Sequence, residues 1–318
     1  MMLLQAAHSV LHPASAQARS VGRLYDFFLS VSVVVYVVVM AAALWAAWRR
    51  RTTGDDRSMT SELRAHRLIL ASVSATVAIL FVALVYDLAL GRSTSRRPAR
   101  EMLSIGVTGH QWWWEVEYQD PVPRQRVVTA NEIHLPVRRT VALKLSSADV
   151  IHSFWAPSLS GKKDLIPGHP NELWFTPTVE GTYRAQCAEY CGMQHANMAL
   201  DIVVESEAAF SDWLNQQRQP AVAATDTLAS RGQLVFETTT CATCHRITGT
   251  TAGGTIGPDL THLASRRSIA AGTLNNARGN LAGWIVDAQG IKPGVLMPSN
   301  GLEPADLQAL IAYLGTLR

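Results

Sequence analysis

Two stretches of this chain carry no polar rhythm. Phe27 to Trp48 is a 22-residue run without a charge, closed by Arg49-Arg50-Arg51. Leu68 to Leu90 is a second run, broken only by Asp87 near its far end. About 20 apolar residues cross the hydrocarbon core of a bilayer, so the pattern predicts two spanning helices, over about 27–48 and 68–90. Beyond residue 100 the pattern shortens into β-like runs at Leu103–Val107, Gln111–Tyr118, Arg126–His134, Thr140–Ser146, Leu173–Pro177, Thr182–Cys187 and Met198–Val204. Pro121-Val-Pro123, Ile166-Pro-Gly168 and Glu180-Gly181 punctuate them, as expected of an antiparallel β-sandwich or barrel. Ser206 to Gln217, with Phe210, Trp213 and Leu214 on one face, predicts an amphipathic helix returning to the sheet. Pro220 to Thr227 is Ala-rich and without period, and reads as a linker. Near the end, Leu307, Leu310, Ile311 and Leu314 recur at helical spacing behind Pro304. The domains expected are therefore 1–100 (an external N-terminal segment and helix hairpin), 101–219 (β domain and its helix), 220–228 (linker) and 229–318 (helical domain).

Charge adds an orientation. Residues 1–100 carry 12 Lys/Arg against 5 Asp/Glu, and residues 101–205 carry 8 against 12. The loop 49–67 holds Arg49, Arg50, Arg51, Arg57, Arg64 and Arg67 against Asp55, Asp56 and Glu62. By the positive-inside tendency that loop is cytoplasmic, which puts the N-terminus and everything after residue 90 outside. Arg92, Arg96, Arg97 and Arg100 oppose this, but they precede a large translocated domain, where the bias counts less. Ala14-Ser-Ala-Gln-Ala18 imitates a signal-peptidase site without a basic n-region, and Met1–Leu4 is too short for an h-region. It reads as an external segment that is open to cleavage. A net charge of +3 gives no reason to expect a nucleic-acid partner.

All four cysteines fall in two short motifs. Cys187 and Cys191 are followed by His195 and Met198, and His152 stands alone in Asp149-Val-Ile-His-Ser-Phe154. Thiolate, imidazole and thioether together select copper, but a mononuclear blue-copper site has use for only one Cys. If both thiolates bridge two coppers, each ion gains two sulfurs, one imidazole and one weak axial group, Met198 or a carbonyl of the 187–191 loop. Cys2His2 zinc would leave Met198 without a role. A Cys187–Cys191 disulfide also fits an oxidising compartment, and His152 could be a sheet histidine. Residues alone leave these readings open.

Cys241-Ala-Thr-Cys244-His245 is a c-type haem attachment signature. Two cysteines three positions apart reach both vinyl groups of one porphyrin, and the next imidazole sits beneath the iron. Met297, the only methionine after residue 198, is the expected sixth ligand, and Met/His ligation raises the potential. His262 is the rival. Gly257-Pro-Asp-Leu260 resembles the loop that wraps the haem edge in small cytochromes c.

Cys-x-Glu-x-Cys-Gly-x-x-His-x-x-Met at 187–198, Asp-Val-Ile-His-Ser-Phe at 149–154, Gly-His-Gln-Trp-x-Trp at 109–114 and Ile166-Pro-Gly168 resemble cytochrome c oxidase subunit II. Residues 229–318 resemble a class I cytochrome c, an all-α fold. The resemblance implies a multidomain membrane protein with a two-helix transmembrane hairpin and a cupredoxin-like antiparallel β-sandwich. It implies a dinuclear CuA centre on His152, Cys187, the Glu189 carbonyl, Cys191, His195 and Met198, and haem c on Cys241, Cys244, His245 and Met297. It also implies a magnesium ion reached by the Glu189 carboxylate at the subunit I boundary, and electron input through Trp112. Trp112 and Trp114 would share a face if the triplet lies on a strand. Glu115, Glu117 and Asp120 could help to dock a basic donor. Two departures stand out. Trp113 replaces the family's usual Tyr, and Ser61-Glu-Leu-Arg-Ala-His66 lacks the family's Glu-Thr-x-Trp-Thr, so no proton-channel role passes to Glu62.

The implied function is electron input to a respiratory haem–copper oxidase of a bacterial inner membrane, with both cofactor domains periplasmic. The partners implied are subunit I, other oxidase subunits and an external cytochrome donor. A CuA-type nitric oxide reductase subunit and a stand-alone membrane cytochrome are the alternatives. A short flexible linker would hold donor and acceptor at an effective concentration of order mM.

Overall fold

The structure is a computed structural model that describes residues 8–50, 59–95 and 102–318. Expectations resting on Met1–Leu4, on Arg51, Asp55, Asp56 and Arg57, and on Arg96, Arg97 and Arg100 lie outside the described residues. The chain forms two compact units, one of residues 19–97 and one of the remainder.

Helices α1 (Ala16–Arg50) and α2 (Met59–Ser95) are each longer than the apolar run that predicts them. Both contain a segment long and apolar enough to cross a membrane. Val34, Tyr36, Val38 and Trp48 on α1 and Leu68, Leu80 and Phe81 on α2 point outward, the reverse of a soluble amphipathic helix. Phe27 meets Tyr86 with ring centroids 4.9 Å apart. The start of α1 at Ala16 has a local cause: Ser15 Oγ accepts from the Ala18 amide at 2.9 Å, the hydrogen bond of an N-cap.

The β domain is built from β1 (Leu103–His110), β2 (Trp113–Tyr118), β3 (Val127–Ala130), β4 (Glu132–Pro136), β5 (Val141–Ser147), β6 (His152–Trp155), β7 (Lys163–Leu165), β8 (Asn171–Phe175), β9 (Gly181–Cys187) and β10 (Ala199–Glu205). One sheet runs β3-β2-β1-β5-β8 and the other β4-β10-β9-β6-β7. Alternate residues, such as Ile105 and Val107, Trp114 and Val116, Leu143 and Leu145, and Ile202 and Val204, fill the space between them. The sandwich is not wholly antiparallel: β1 pairs parallel with β5, and β10 with β4. A parallel pair needs a crossover, and here the chain leaves each sheet through strands of the other before it returns.

β6 and β7 go unforeseen in the sequence, because four and three residues are too few to show a period. The long run 126–134 splits at Asn131, which sits at φ 59°, a left-handed conformation that Asn tolerates. Residues 8–15 lie along the sandwich edge. Ala14 N donates to Ser158 O at 2.7 Å, and Thr178 N donates to Ala14 O at 2.8 Å. Helix α3 (Glu207–Gln217) is capped by Ser206, buries Phe210 and stacks Trp213 on His134 at 4.1 Å.

In the C-terminal domain α4 (Thr227–Thr238) crosses α8 (Pro304–Leu314), with α5 (Cys241–Cys244), α6 (Arg278–Val286) and α7 (Ala288–Ile291) between them. Phe236, Ile247, Leu263, Leu310, Tyr313 and Leu314 form its core. The domain is all-α except for a two-residue ribbon joining Ser268–Ile269 to Leu274–Asn275. The segment expected as a linker has no regular structure, but its start is fixed rather than loose. Ala221 N donates to Thr248 O at 2.8 Å, and Ala221 and Ala224 pack on the domain core.

The two domains of this unit are in direct contact. Ala199 N donates to Ala271 O at 3.0 Å, Ser268 Oγ to Asp201 Oδ2 at 2.7 Å, and Arg267 N to Glu132 Oε2 at 3.2 Å. Val295 packs against the sandwich core.

The α4–α8 crossing depends on Gly232. A Cβ there would lie 2.8 Å from Tyr313 Cβ and 2.5 Å from the Ala309 carbonyl carbon. Gly232→Ala is therefore expected to destabilise the C-terminal domain by about 1–3 kcal/mol, the usual cost of overpacking. A melt followed by helical circular dichroism checks this, and an unchanged midpoint would refute the close crossing.

Candidate metal and haem centres

Three chain segments converge at one end of the sandwich. β9 ends on Cys187, the following loop carries Cys191 and His195, and Met198 stands just ahead of β10. Cys187 N donates to Met198 O at 2.9 Å and closes that loop. β6 pairs Phe154 with Cys187, which brings His152 alongside. Its ring packs on β1 at Gly109, where a Cβ would meet His152 Cδ2 at 2.7 Å.

The ligand atoms form a row. Cys187 Sγ and Cys191 Sγ are 3.7 Å apart. His152 Nδ1 lies 3.9 Å from Cys187 Sγ, and His195 Nδ1 lies 3.7 Å from Cys191 Sγ. The Glu189 carbonyl is 3.2 Å from Cys187 Sγ, and Met198 Sδ is 3.9 Å from Cys191 Sγ. Each thiol thus has one imidazole and one weak donor of its own. His152, Cys187 and Cys191 lie within 4.8 Å of one another, and His195 falls outside that group. Four ligands of a single tetrahedral zinc would all lie within about 3.8 Å of each other, given bonds near 2.0–2.3 Å. The row suits two ions bridged by two sulfurs better than one ion, and both thiols are free.

Charge agrees with this. A hydrogen bond with Cys191 favours the Cys187 thiolate and pulls its pKa down, while the neighbouring Cys187 pushes the Cys191 thiol up. The buried pair therefore shares one proton until a cation supplies compensating charge. Burial disfavours the His152 cation, but the Cys187 thiolate and the Asp149 carboxylate outweigh it and raise that pKa.

Asp149 is the neighbour whose role the sequence hid. Its Oδ1 lies 2.8 Å from His152 Nε2, and its Oδ2 accepts from the Gln111 amide at 2.6 Å. A carboxylate on the far ring nitrogen fixes the tautomer and leaves Nδ1 toward the sulfurs. The i, i+3 spacing to His152 was the available signal.

The tryptophan triplet does not lie on one strand. His110 pairs with Trp113 across the β1–β2 hairpin, so Gln111 and Trp112 form the turn. Trp114 is buried between the sheets, and Trp113 stacks on His110 at 4.3 Å. Trp112 does not share a strand face with Trp114, and its indole N–H donates to the Cys191 carbonyl at 2.9 Å. Arg126 pairs with Glu117 at 3.6 Å and Arg218 with Asp120 at 3.4 Å, so both acids have partners within the β domain.

The second site is a cavity whose wall includes Cys241, Cys244, His245 and Met297, closed on one side by Trp112 and Trp113 of the β domain. His245 Nδ1 lies 2.7 Å from Pro258 O, which leaves Nε2 as the ligand atom. Burial lowers the His245 pKa and keeps the ring neutral, as an iron ligand must be. Gly257 is required by this ring, since a Cβ there would meet His245 Cε1 at 2.6 Å. Arg266, also in the wall, is buried; its Nη2 donates to the Asp259 carbonyl, while its Nε has no partner among the described residues and suits an acidic group of a bound ligand. His262 is not in the wall; its Nε2 lies 3.0 Å from Gln219 O. The cysteine pair, the neutral imidazole, the thioether and the unpartnered Arg266 Nε fit haem c.

Residues 121–207 match the family model for the periplasmic domain of cytochrome c oxidase subunit II, and residues 229–318 match that for cytochrome c. Cytochrome c oxidase subunit 2 of Alkalihalophilus pseudofirmus is 32% identical over 321 residues, covering 98% of this chain and 91% of that protein. The subunit 2 of Cereibacter sphaeroides is 28% identical over 241 residues, covering 64% of this chain and 78% of that one. Among solved structures, the periplasmic domain of subunit II from Bradyrhizobium japonicum is 31% identical, with a TM-score of 0.36 over 38% of this chain and 97% of that one. With 32% identity to the Alkalihalophilus pseudofirmus protein over nearly the whole of both chains, this chain belongs to the cytochrome c oxidase subunit 2 family, with a cytochrome c domain at its C-terminal end.

Proposed function

We propose that this chain is the electron-input subunit of a respiratory haem–copper oxidase, receiving electrons from an external cytochrome and delivering them to subunit I for dioxygen reduction. Haem c and a dinuclear CuA centre would supply one-electron carriers; every other role below belongs to the chain itself. Cys187, Cys191, His152, His195, the Glu189 carbonyl and Met198 would hold the copper pair, the two thiolates supplying its charge compensation. Cys241 and Cys244 would attach the haem, and His245 and Met297 would hold its iron. The observation that carries this reading is the row His152–Cys187–Cys191–His195, with thiols 3.7 Å apart and an imidazole beside each.

Asp149 holds the His152 tautomer and, through the Gln111 amide, the turn that bears Trp112. Trp112 lies between the haem pocket and the copper loop, in contact with the first and hydrogen-bonded to the second. We place electron input there, from the fused haem domain. The Glu189 side chain is exposed, as reaching a magnesium ion at the subunit I boundary requires. The two spanning helices anchor the chain in the inner membrane with both cofactor domains outside.

Metal and haem analysis of the purified complex should give two coppers per haem, and zinc or no copper would overturn the copper reading. Cys191→Ser should abolish the near-infrared mixed-valence absorption and leave the haem c spectrum; survival of that band with full copper content would remove the bridging role. Dioxygen rather than nitric oxide should support turnover.

Asp149→Asn should weaken copper retention about 10–100-fold, the usual cost of losing an outer-shell partner. Competition with a copper chelator measures it, and unchanged retention would leave Asp149 without that role. Met297→His should lower the haem potential, because the thioether is what raises it. An unchanged redox titration would return His262 to consideration.

A further inference from the structure

Lys292 is 1% exposed, which is rare for lysine, and among the described residues no carboxylate pairs with it. Its Nζ donates to three backbone carbonyls: Asn197 at 2.8 Å, Ala270 at 3.0 Å and Trp112 at 3.2 Å. An ammonium has three donors, and all three are used. Burial pulls its pKa down to about 8, the direction expected when water is replaced by dipoles.

The acceptors are not arbitrary. Trp112 and Asn197 belong to the β domain, one in the turn facing the haem pocket and the other immediately before Met198. Ala270 belongs to the other docking loop of the haem domain. Ala270 and Ala271 both hold left-handed conformations, at φ 53° and 56°, which non-glycine residues adopt at a cost. The carbonyl of Ala270 takes Lys292 Nζ, and that of Ala271 takes the Ala199 amide. The next residues after Lys292 continue the contact. Gln194 Nε2 donates to Pro293 O at 2.9 Å, and a Cβ on Gly294 would lie 3.5 Å from Trp112 Cη2. Three residues further on stands Met297.

We propose that Lys292 is a positioning residue: its buried ammonium ties the Met297 loop to the backbone of Trp112 and Asn197, so that the haem domain meets the copper domain in one fixed orientation. This rests on the reading of the two cofactors given above. The transfer it serves moves one electron from ferrous haem to the oxidised copper pair, leaving ferric haem and a copper pair reduced by one electron. No bond breaks and no proton moves.

The test compares wild type with Lys292→Met in the purified, fully loaded oxidase. Pulsed electron paramagnetic resonance between the ferric haem and the copper pair should give one narrow distance distribution in wild type and a broadened one in the variant. Amide exchange at Ala199, whose N–H crosses the interface, should lose protection on the order of tenfold or more, what one charge-assisted hydrogen bond is worth in an equilibrium. Both cofactor spectra should be retained. A narrow, unshifted distribution with unchanged Ala199 protection would overturn the proposal. So would a broad distribution in wild type. If Lys292→Met does not accumulate, Lys292→Gln, neutral but still a donor, is read by the same two measurements. Absence of the copper-pair signal in wild type would instead reject the cofactor reading, and the Ala199 exchange would still decide the role of Lys292.

Discussion

Two thiols 3.7 Å apart in a buried pocket cannot both give up their protons unless a cation compensates them. That constraint organises the β domain. It requires a rigid strand end to carry Cys187, a closed loop to return Cys191, and a second strand to set His152 against the pair. Cross-strand pairing of Phe154 with Cys187 and the Cys187 N to Met198 O bond meet those requirements through the backbone, not through mobile side chains. A metal pair would enter a site whose donors already stand in order, so little ordering entropy remains to oppose binding.

The same backbone also serves the neighbouring pocket. Asp149 holds His152 with one oxygen and the Gln111 amide with the other, so the proposed copper ligand and the Trp112 turn share one support. Cys191 presents its carbonyl to both the Gln111 amide nitrogen Nε2 and the Trp112 indole, at 2.8 and 2.9 Å. The wall of the haem pocket is thus bonded to the loop of the proposed copper site.

Much of this was legible in the sequence. Cys-x-x-x-Cys and Cys-x-x-Cys-His carry their chemistry in their spacing, and two long apolar runs, the second broken only by Asp87, announce both long helices. The parts that stayed hidden depend on contacts between distant segments. Four residues of β6 have too short a period to read, although they bear His152. Trp112 looked like a strand residue because hydrophobicity cannot show that the hairpin turns there. Lys292, between isoleucine and proline, carried no sign that three carbonyls would bury it. Residues 220–228 looked loose by composition, yet small alanines there fit the C-terminal core.

The character of the interface bears on why the haem domain is part of the chain at all. Encounters steered by exposed charge gain speed over distance but weaken as salt screens them within about 8–10 Å. Here the contacts are backbone amides, short side-chain bonds and a desolvated ammonium, together with the apolar Val295 packed on the sandwich core. Such contacts have almost no reach, so they cannot recruit a diffusing partner, but screening affects them little. They suit a domain that arrives by covalent connection and needs only to stay in register. The fusion supplies proximity, and the buried contacts supply orientation.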